Sequence, residues 1–399
     1  MSERIAITGM GIVSSIGMSV EANFLTLIEP KSGISSIENI DTVHRNAIKV
    51  GEIKHTNQSL LEQLGLPHNA NYSRTSLLGI LALKQALSQA QIIPSNELDL
   101  GFISASSVGG MDMTERYFYQ YQTNPEIRTY IKTHNIGDVT HQIADYFNIK
   151  GLVTSVSTAC SSSANAIITA ANLIRTKRLK RVVAGGVDSL SKFTINGFNT
   201  LMILSKSECT PFDQNRTGLN LGEAAAFLVL EAESEAIASG RNILAYLSGW
   251  GNANDAYHQT ASSQEGEGAF LAMQKALTCA KLTPSKIDYV NAHGTATLNN
   301  DLSESKALIR IFTEEKVPCF SSTKPFTGHT LAAAAAVEAV FSVLALQNQV
   351  IFPNLNYTTP MQEVSICPQR QVLYTEINHV LSNSFGFGGN CSTLIFSKK

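Results

Sequence analysis

Two stretches of small side chains constrain this chain more tightly than any other part of it. One reads CSSSANAIITAA over residues 160–171, and the other reads HTLAAAAAVEAV over residues 329–340. Each follows a short segment with buried-strand character, ending at 156 in the first case and covering 319–321 in the second. Each opens on a side chain capable of chemistry, Cys160 or His329, and continues as a helix whose alanines let another helix lie close against it. The same peculiarity in comparable places is the mark of internal repetition. It predicts an α/β protein of two halves, residues 1–240 carrying the cysteine and 241–399 carrying the histidines, with the two small-residue helices packed together in the core.

Hydrophobic periodicity fills in the halves. Strands are expected at 4–10, 100–104, 182–187 and 224–231, then at 244–249, 287–291, 319–321, 372–375 and 393–396. Helices are expected at 20–28, 72–90, 138–147, 233–239, 267–279, 301–312 and 329–346, with the cysteine helix running on to 181. Residues 188–204 hold a further helix or a loop, 31–57 read as loop with a short strand or two, and 211–222 are rich in turns. The first strand runs into Gly9, Gly11 and Gly17, whose spacing does not make G-x-G-x-x-G, so a nicotinamide cofactor is not expected.

The 399 residues carry a formal net charge of -2, with 44% apolar and 16% charged side chains. That is enough apolar surface for one large core or two fused ones and a subunit interface, and it gives no footing for a nucleic-acid partner. Tyr117, Phe118, Tyr119, Tyr121 and Tyr130 lack the basic neighbours of a base-stacking surface and read as a cap over a tunnel or a dimer contact. Arg175, Lys177, Arg178, Lys180 and Arg181 either cap the end of the cysteine helix or face an acidic partner. The six cysteines contain no CxxC pair, so neither a zinc site nor a disulfide framework is indicated. No secretory leader is expected from the first residues, and no apolar run is read as reaching the roughly twenty residues that cross a membrane. A soluble, cytoplasmic protein is expected.

A strand turning sharply into a helix lifts the residue at the turn to the helix N-terminus, where unpaired N–H groups and the helix dipole favour an anion. Cys160 so placed is expected to have its thiolate stabilised, and the thiolate is the form that attacks carbonyl carbon. Taken alone, a cysteine beside an apolar helix is usually a small buried hydrophobe. Its company argues otherwise. His293 lies in NAHGTAT just past a strand, Lys324 and His329 lie in STKPFTGH, and Phe385 and Phe387 lie in NSFGFGGN, where Gly386, Gly388 and Gly389 let backbone approach a ligand. Such transitions are where ligands bind in α/β folds. A histidine beginning a helix resists protonation, and a neutral imidazole N–H donates to a carbonyl oxygen. Two of them could hold a thioester carbonyl while its oxygen becomes negative, without a metal.

TACSSS, PFDxxRxG followed by GE, NAHGTAT followed by ND, STKPFTGH and NSFGFGGN occur in this order along essentially the whole chain. In this the chain resembles the elongating β-ketoacyl-acyl-carrier-protein synthases of the thiolase-like condensing-enzyme superfamily, which include specialised type II polyketide and aryl polyene ketosynthases. The resemblance implies a duplicated five-layered αβαβα subunit, working as a homodimer or as a heterodimer with a synthase-like chain-length partner. It implies a decarboxylative Claisen condensation of an acyl group held on Cys160 with malonyl-acyl-carrier protein, giving a β-ketoacyl-acyl-carrier protein. His293 and His329 would bind the malonyl thioester, Lys324 would order them, and Glu338 would be the acidic support. The backbone N–H groups of Cys160 and Phe387 would form the oxyanion hole, with Phe387 also the gate. Thr295 and Thr297 would hold the phosphopantetheine arm, and Val108 would narrow the acyl pocket. No redox cofactor or catalytic metal is implied, because the phosphopantetheine arrives on the carrier protein.

The chain departs from the common family pattern with alanines in GLNLGEAAAF and TLAAAAAVEA, and with leucine in NAHGTATLNND where proline is common. These departures favour a specialised pathway, polyene, aryl polyene or other polyketide-like, over housekeeping fatty-acid synthesis. A degradative thiolase would need a second catalytic cysteine near the terminal glycine loop, where Cys391 lies. An initiating synthase would carry asparagine for one histidine, and a non-catalytic chain-length subunit would lack Cys160. Cys160 with two histidines favours the elongating reading.

Overall fold

The computed structural model describes residues 3–96 and 99–399. The apolar strands of the first half are β1 (Ile5–Ser14), β2 (Leu100–Ala105), β3 (Val153–Val156), β4 (Arg181–Asp188) and β5 (Ala224–Ala232). Those of the second are β6 (Ala245–Asn254), β7 (Tyr289–Asn291), β8 (Cys319–Ser321), β9 (His379–Phe385) and β10 (Asn390–Ser397). They form one sheet in the order β8-β7-β9-β10-β6-β1-β5-β4-β2-β3. Outward from the central β1–β6 seam, successive pairs are antiparallel, antiparallel, parallel and parallel in both directions. The seam itself is short, Ile5 to Ile7 against Leu247 to Ala245. The repetition expected from the two alanine helices is thus present in the strand topology. Ser35–Ser36 with Lys49–Val50, and Val350–Ile351 with Leu373–Tyr374, make two small separate ladders.

Among the longer helices are α1 (Arg74–Gln89), α2 (Ser162–Arg175), α3 (Lys192–Thr200), α4 (Glu267–Ala280), α5 (Leu298–Phe312) and α6 (Ala334–Asn348). α1 covers β1 and β5 from outside, and α4 covers β6 and β10 in the same way. A Cβ on Gly11 would sit 2.0 Å from the Ala82 carbonyl oxygen of α1, and one on Gly251 would sit 2.1 Å from the Ala272 carbonyl oxygen of α4. These two glycines, inside β1 and β6, therefore serve close helix–sheet contact.

α2 and α6 lie between the two halves of the sheet and touch each other, which makes the five-layered αβαβα thiolase-like arrangement. α6 is buried on every side from Ala334 to Leu346, as a helix in a central layer must be. Ser163 Oγ of α2 accepts the Ala336 N–H of α6 at 2.9 Å, so the two alanine faces are also pinned by a polar contact. Leu331–Asn348 is long and apolar enough to cross a membrane by length and composition, contrary to the expectation that no run is, but it is the core of this layer.

Several boundaries differ from those read in the sequence. α2 begins at Ser162, two residues after Cys160, and stops at Arg175; Arg181 opens β4 instead, its guanidinium buried against Glu231 at 2.7 Å. The cationic cluster is shorter by that residue. His329 does not begin a helix: a 3-10 turn, Leu331–Ala333, intervenes before α6. β3 is a half-buried edge strand, because among the described residues no strand pairs with its outer side. A helix at Asn57–Leu64, capped by Thr56, was not expected.

Candidate active site

At the end of β3 the chain turns through Ala159, which takes a left-handed conformation (φ 53). Three serines hold the turn. Ser162 Oγ accepts the Thr158 N–H at 2.8 Å and donates to the Ala159 carbonyl at 2.5 Å, Ser161 Oγ donates to Asn390 Oδ1 at 2.7 Å, and Ser163 reaches α6. Cys160 is raised on this turn and is only 6% exposed. Burial pushes its thiol up to about 11, and Asp188 adds to the rise; the Lys324 charge and the N–H groups of Phe387 and Cys160 itself pull the other way. The expected acidified thiolate is therefore overturned for the resting site: desolvation outweighs the donors. Those same two N–H groups converge on the sulfur, where an oxyanion hole would need them.

His293 follows β7 and His329 precedes the 3-10 turn; each is 2% exposed, and their rings meet edge to face with centroids 5.5 Å apart. Burial drives both well below the usual imidazole range, helped by the Lys324 charge in each case. The neutrality expected from a helix dipole is present, but desolvation and a lysine cause it. Lys324 Nζ lies 2.5 Å from the His293 carbonyl oxygen, 2.5 Å from Glu338 Oε1 and 3.3 Å from His293 Nδ1. Nδ1 of His329 accepts the Leu331 N–H at 3.2 Å. With Nδ1 an acceptor in both rings, the imidazole proton sits on Nε2 in each. Left-handed residues flank all three groups: Ala159 before Cys160, Gly294 after His293, Gly328 before His329 and Leu331 two residues beyond it.

Cys160, His293 and His329 line one cavity of about 340 Å³, together with Thr295, Thr297 and Phe387. Thr295 and Thr297 share a hydroxyl–hydroxyl contact of 2.8 Å on its wall. Phe387 lies at the mouth, stacked on Phe198 of α3 with centroids 6.0 Å apart. Its loop is brought against Cys160 by Gly386, where a Cβ would fall 2.7 Å from the Thr158 carbonyl oxygen. Glu338, buried on α6, pairs with Lys324 behind the cavity. Val108 does not line it; it packs one layer back with Leu190, Leu219 and Leu331. Cys391 also lines the cavity, and burial and the nearby Asp255 and Glu304 carboxylates push its thiol up.

Residues 2–236 match the family model described as beta-ketoacyl synthase, N-terminal domain, and residues 244–358 match beta-ketoacyl synthase, C-terminal domain. The chain belongs to the β-ketoacyl synthase family. It is 33% identical to the 3-oxoacyl-[acyl-carrier-protein] synthase 2 of Staphylococcus aureus (strain COL), over 100% of this chain and 99% of that one. It is 32% identical to the Vibrio harveyi protein of the same name, over 99% and 98%. Among solved structures it is similar to the ishigamide ketosynthase/chain length factor, with a TM-score of 0.92 at 26% identity over the full length of both chains. It is also similar to the ketosynthase ApeO in complex with its chain length factor ApeC from Xenorhabdus doucetiae, with a TM-score of 0.86 at 30% identity over 100% and 98%.

This β-ketoacyl synthase is a condensing acyltransferase by family. Its site contains groups that sequence reasoning passed over. Glu304 on α5 accepts the N–H groups of His293 at 2.9 Å and Gly294 at 2.8 Å, and burial raises its carboxyl to about 7. Asp301, one turn earlier, accepts the N–H groups of Thr295 at 3.0 Å and Phe212 at 2.7 Å. The signal was two carboxylates three apart, just after a histidine loop. Phe198 carried no signal, because it reaches Phe387 from another element. Leu201 and Met202 after α3, Gln259 in a loop and Leu298 at the start of α5 likewise reach the cavity wall from separate parts of the chain.

Proposed function

We propose that this synthase condenses an acyl group held on Cys160 with malonyl-acyl-carrier protein, releasing carbon dioxide and giving a β-ketoacyl-acyl-carrier protein two carbons longer. The observation that carries this reading is a nucleophile-capable thiol and two neutral, Nε2-protonated imidazoles on one cavity wall. Acyl transfer to Cys160 exchanges one thioester for another: the Cys160 proton leaves with the carrier's phosphopantetheine thiol, so no net proton is needed. The N–H groups of Cys160 and Phe387 then hold the tetrahedral oxyanion. Phe387 must swing off Phe198 to admit the arm, which Thr295 and Thr297 hydrogen-bond. When the malonyl thioester follows, Nε2–H of His293 and of His329 donate to its carbonyl oxygen. Loss of carbon dioxide leaves an enolate whose charge they share; its carbon attacks the Cys160 thioester, the acyl–sulfur bond breaks, and the released Cys160 thiolate takes up one proton from water. Lys324, fixed by Glu338, keeps His293 neutral and oriented, while Val108 limits the acyl pocket from behind Leu219.

The reaction draws its chemistry from these side chains and from phosphopantetheine delivered on the carrier, so it needs no resident redox cofactor or metal. Pairing with a second synthase-like chain is supported by the likeness to ketosynthase and chain length factor complexes, and a specialised polyketide or polyene product by the same likeness. The reading places the enzyme in the cytoplasm, beside its carrier proteins. Incubation with malonyl-carrier protein and a panel of acyl-carrier proteins, followed by mass spectrometry of the carriers, tests it. Extension by two carbons from at least one primer supports it. No extension from any primer, by the chain alone or with a chain-length partner, overturns it.

A further inference from the structure

Asp188 closes β4 with no side-chain exposure, and no motif that pointed to the site includes it. Its carboxylate accepts from Ser106 Oγ at 2.7 Å, Ser107 Oγ at 2.6 Å, Ser107 N–H at 3.0 Å, Val108 N–H at 3.3 Å and Ala332 N–H at 2.8 Å. Every contact is a donor to Asp188, an arrangement that an acceptor-only carboxylate satisfies and an amide does not. The last of these contacts crosses to the 3-10 turn after His329.

That turn is under conformational constraint. Leu331 is a branched residue held in the left-handed region (φ 52), a conformation that is unfavourable for such a side chain and persists only where the surroundings impose it. On one side the His329 backbone is tied in strand fashion: its N–H donates to the Asn220 carbonyl at 2.7 Å and its carbonyl accepts the Gly222 N–H at 2.9 Å. On the other side Asp188 holds Ala332. Leu331 lies between the two anchors, and its N–H is the one that reaches Nδ1 of His329. We propose that Asp188 is a positioning residue for His329: by pinning the Ala332 N–H it holds Leu331 in its left-handed turn, keeps the Leu331 N–H on Nδ1, and so keeps the ring proton on Nε2. A carboxylate that never touches substrate thereby selects the tautomer that donates to the thioester. Its role in turnover rests on the function proposed above; its effect on the tautomer does not.

The experiment combines a spectroscopic and a kinetic reading. In protein labelled with 15N-histidine, the His329 nitrogens, identified by their disappearance in H329A, give a pure Nε2–H pattern that does not titrate between about pH 6 and 8. In D188N the His329 pattern shifts toward a mixture of tautomers while that of His293 stays as in the native protein, which reports that the fold is kept. Malonyl-carrier decarboxylation by D188N falls about tenfold or more, chiefly in kcat, and acyl transfer to Cys160 is not slowed. A D188N protein with native His329 shifts and decarboxylation within about twofold of the native rate overturns the proposal. If D188N does not fold, the native spectrum still decides: His329 in the Nδ1–H form overturns it. H329A decarboxylating at the native rate sinks the functional reading instead, and leaves the tautomer measurement to stand or fall by itself.

Discussion

Lys324 grips His293 at two points, donating to its carbonyl oxygen at 2.5 Å and facing its Nδ1 at 3.3 Å. The third donor of the same ammonium goes to Glu338, so the lysine's hydrogen-bonding capacity is used within one buried cluster. Replacing it removes the partner of a buried carboxylate. K324A is expected to lose about 3–5 kcal/mol of stability and E338Q less, because the glutamine oxygen still accepts from the Lys324 ammonium. Decarboxylation should fall at least tenfold in K324A. Denaturant unfolding and carbon dioxide release measure the two effects; a K324A protein as stable and active as the native one contradicts the arrangement.

The resting Cys160 thiol is pushed up to about 11 by burial. Its alkylation by iodoacetamide should therefore quicken about tenfold for each pH unit from 7 to 10, following the thiolate fraction. A plateau at or below pH 8 means that the sulfur is already ionised in the free enzyme and that burial does not dominate.

Division of labour between sulfur and imidazoles separates the two half-reactions. C160A should lose chain elongation completely and retain malonyl decarboxylation. H293A and H329A should lose about a hundredfold or more of the condensation rate, the range seen when a single oxyanion donor is removed, while acyl transfer to Cys160 stays measurable. Elongation by C160A, or undiminished condensation in both histidine variants, refutes these roles.

Glu304 links the histidine loop to pH. Its folded carboxyl titrates at about 7, above the roughly 4.3 of an unfolded glutamate. The folded state holds that proton more tightly, so the contribution to stability is present below about pH 4.3 and is lost as pH rises through about 7. E304Q cannot titrate. Its stability relative to the native protein should improve by up to about 3 kcal/mol between pH 4.5 and 8. His293 and His329 act with the opposite sign, their depressed values removing stability as pH falls below about 6.5. That effect is common to both proteins and cancels in the comparison. A difference independent of pH rules out the assigned titration.

Much of this architecture was readable along the chain. The strands carried unbroken apolar runs, α1 and α4 carried helical periodicity, and the alanine content of α2 and α6 announced two helices in one crowded layer. Cys160, His293, Lys324 and His329 stood at element ends, within short distinctive motifs. What misled was the inference from position to electrostatics. Cys160 and His329 were both assigned a helix N-terminus; the structure puts one two residues ahead of its helix and the other ahead of a 3-10 turn, and burial sets the ionisation of both. Val108, expected to narrow the acyl pocket, packs with Leu190, Leu219 and Leu331 and is not on the wall of the cavity that holds Cys160.

Local sequence determined which segments become strands and helices and which side chains are chemically able, because periodicity and residue type act over a few neighbours. Tertiary structure alone decided which proton sits on which nitrogen, which carboxylates reach the histidine loops, and how strongly each titratable group is desolvated. Those properties depend on hydrogen-bond donors and excluded water contributed by elements far apart in the chain, such as Asp188 and Ala332 or Phe198 and Phe387, and no local pattern encodes them.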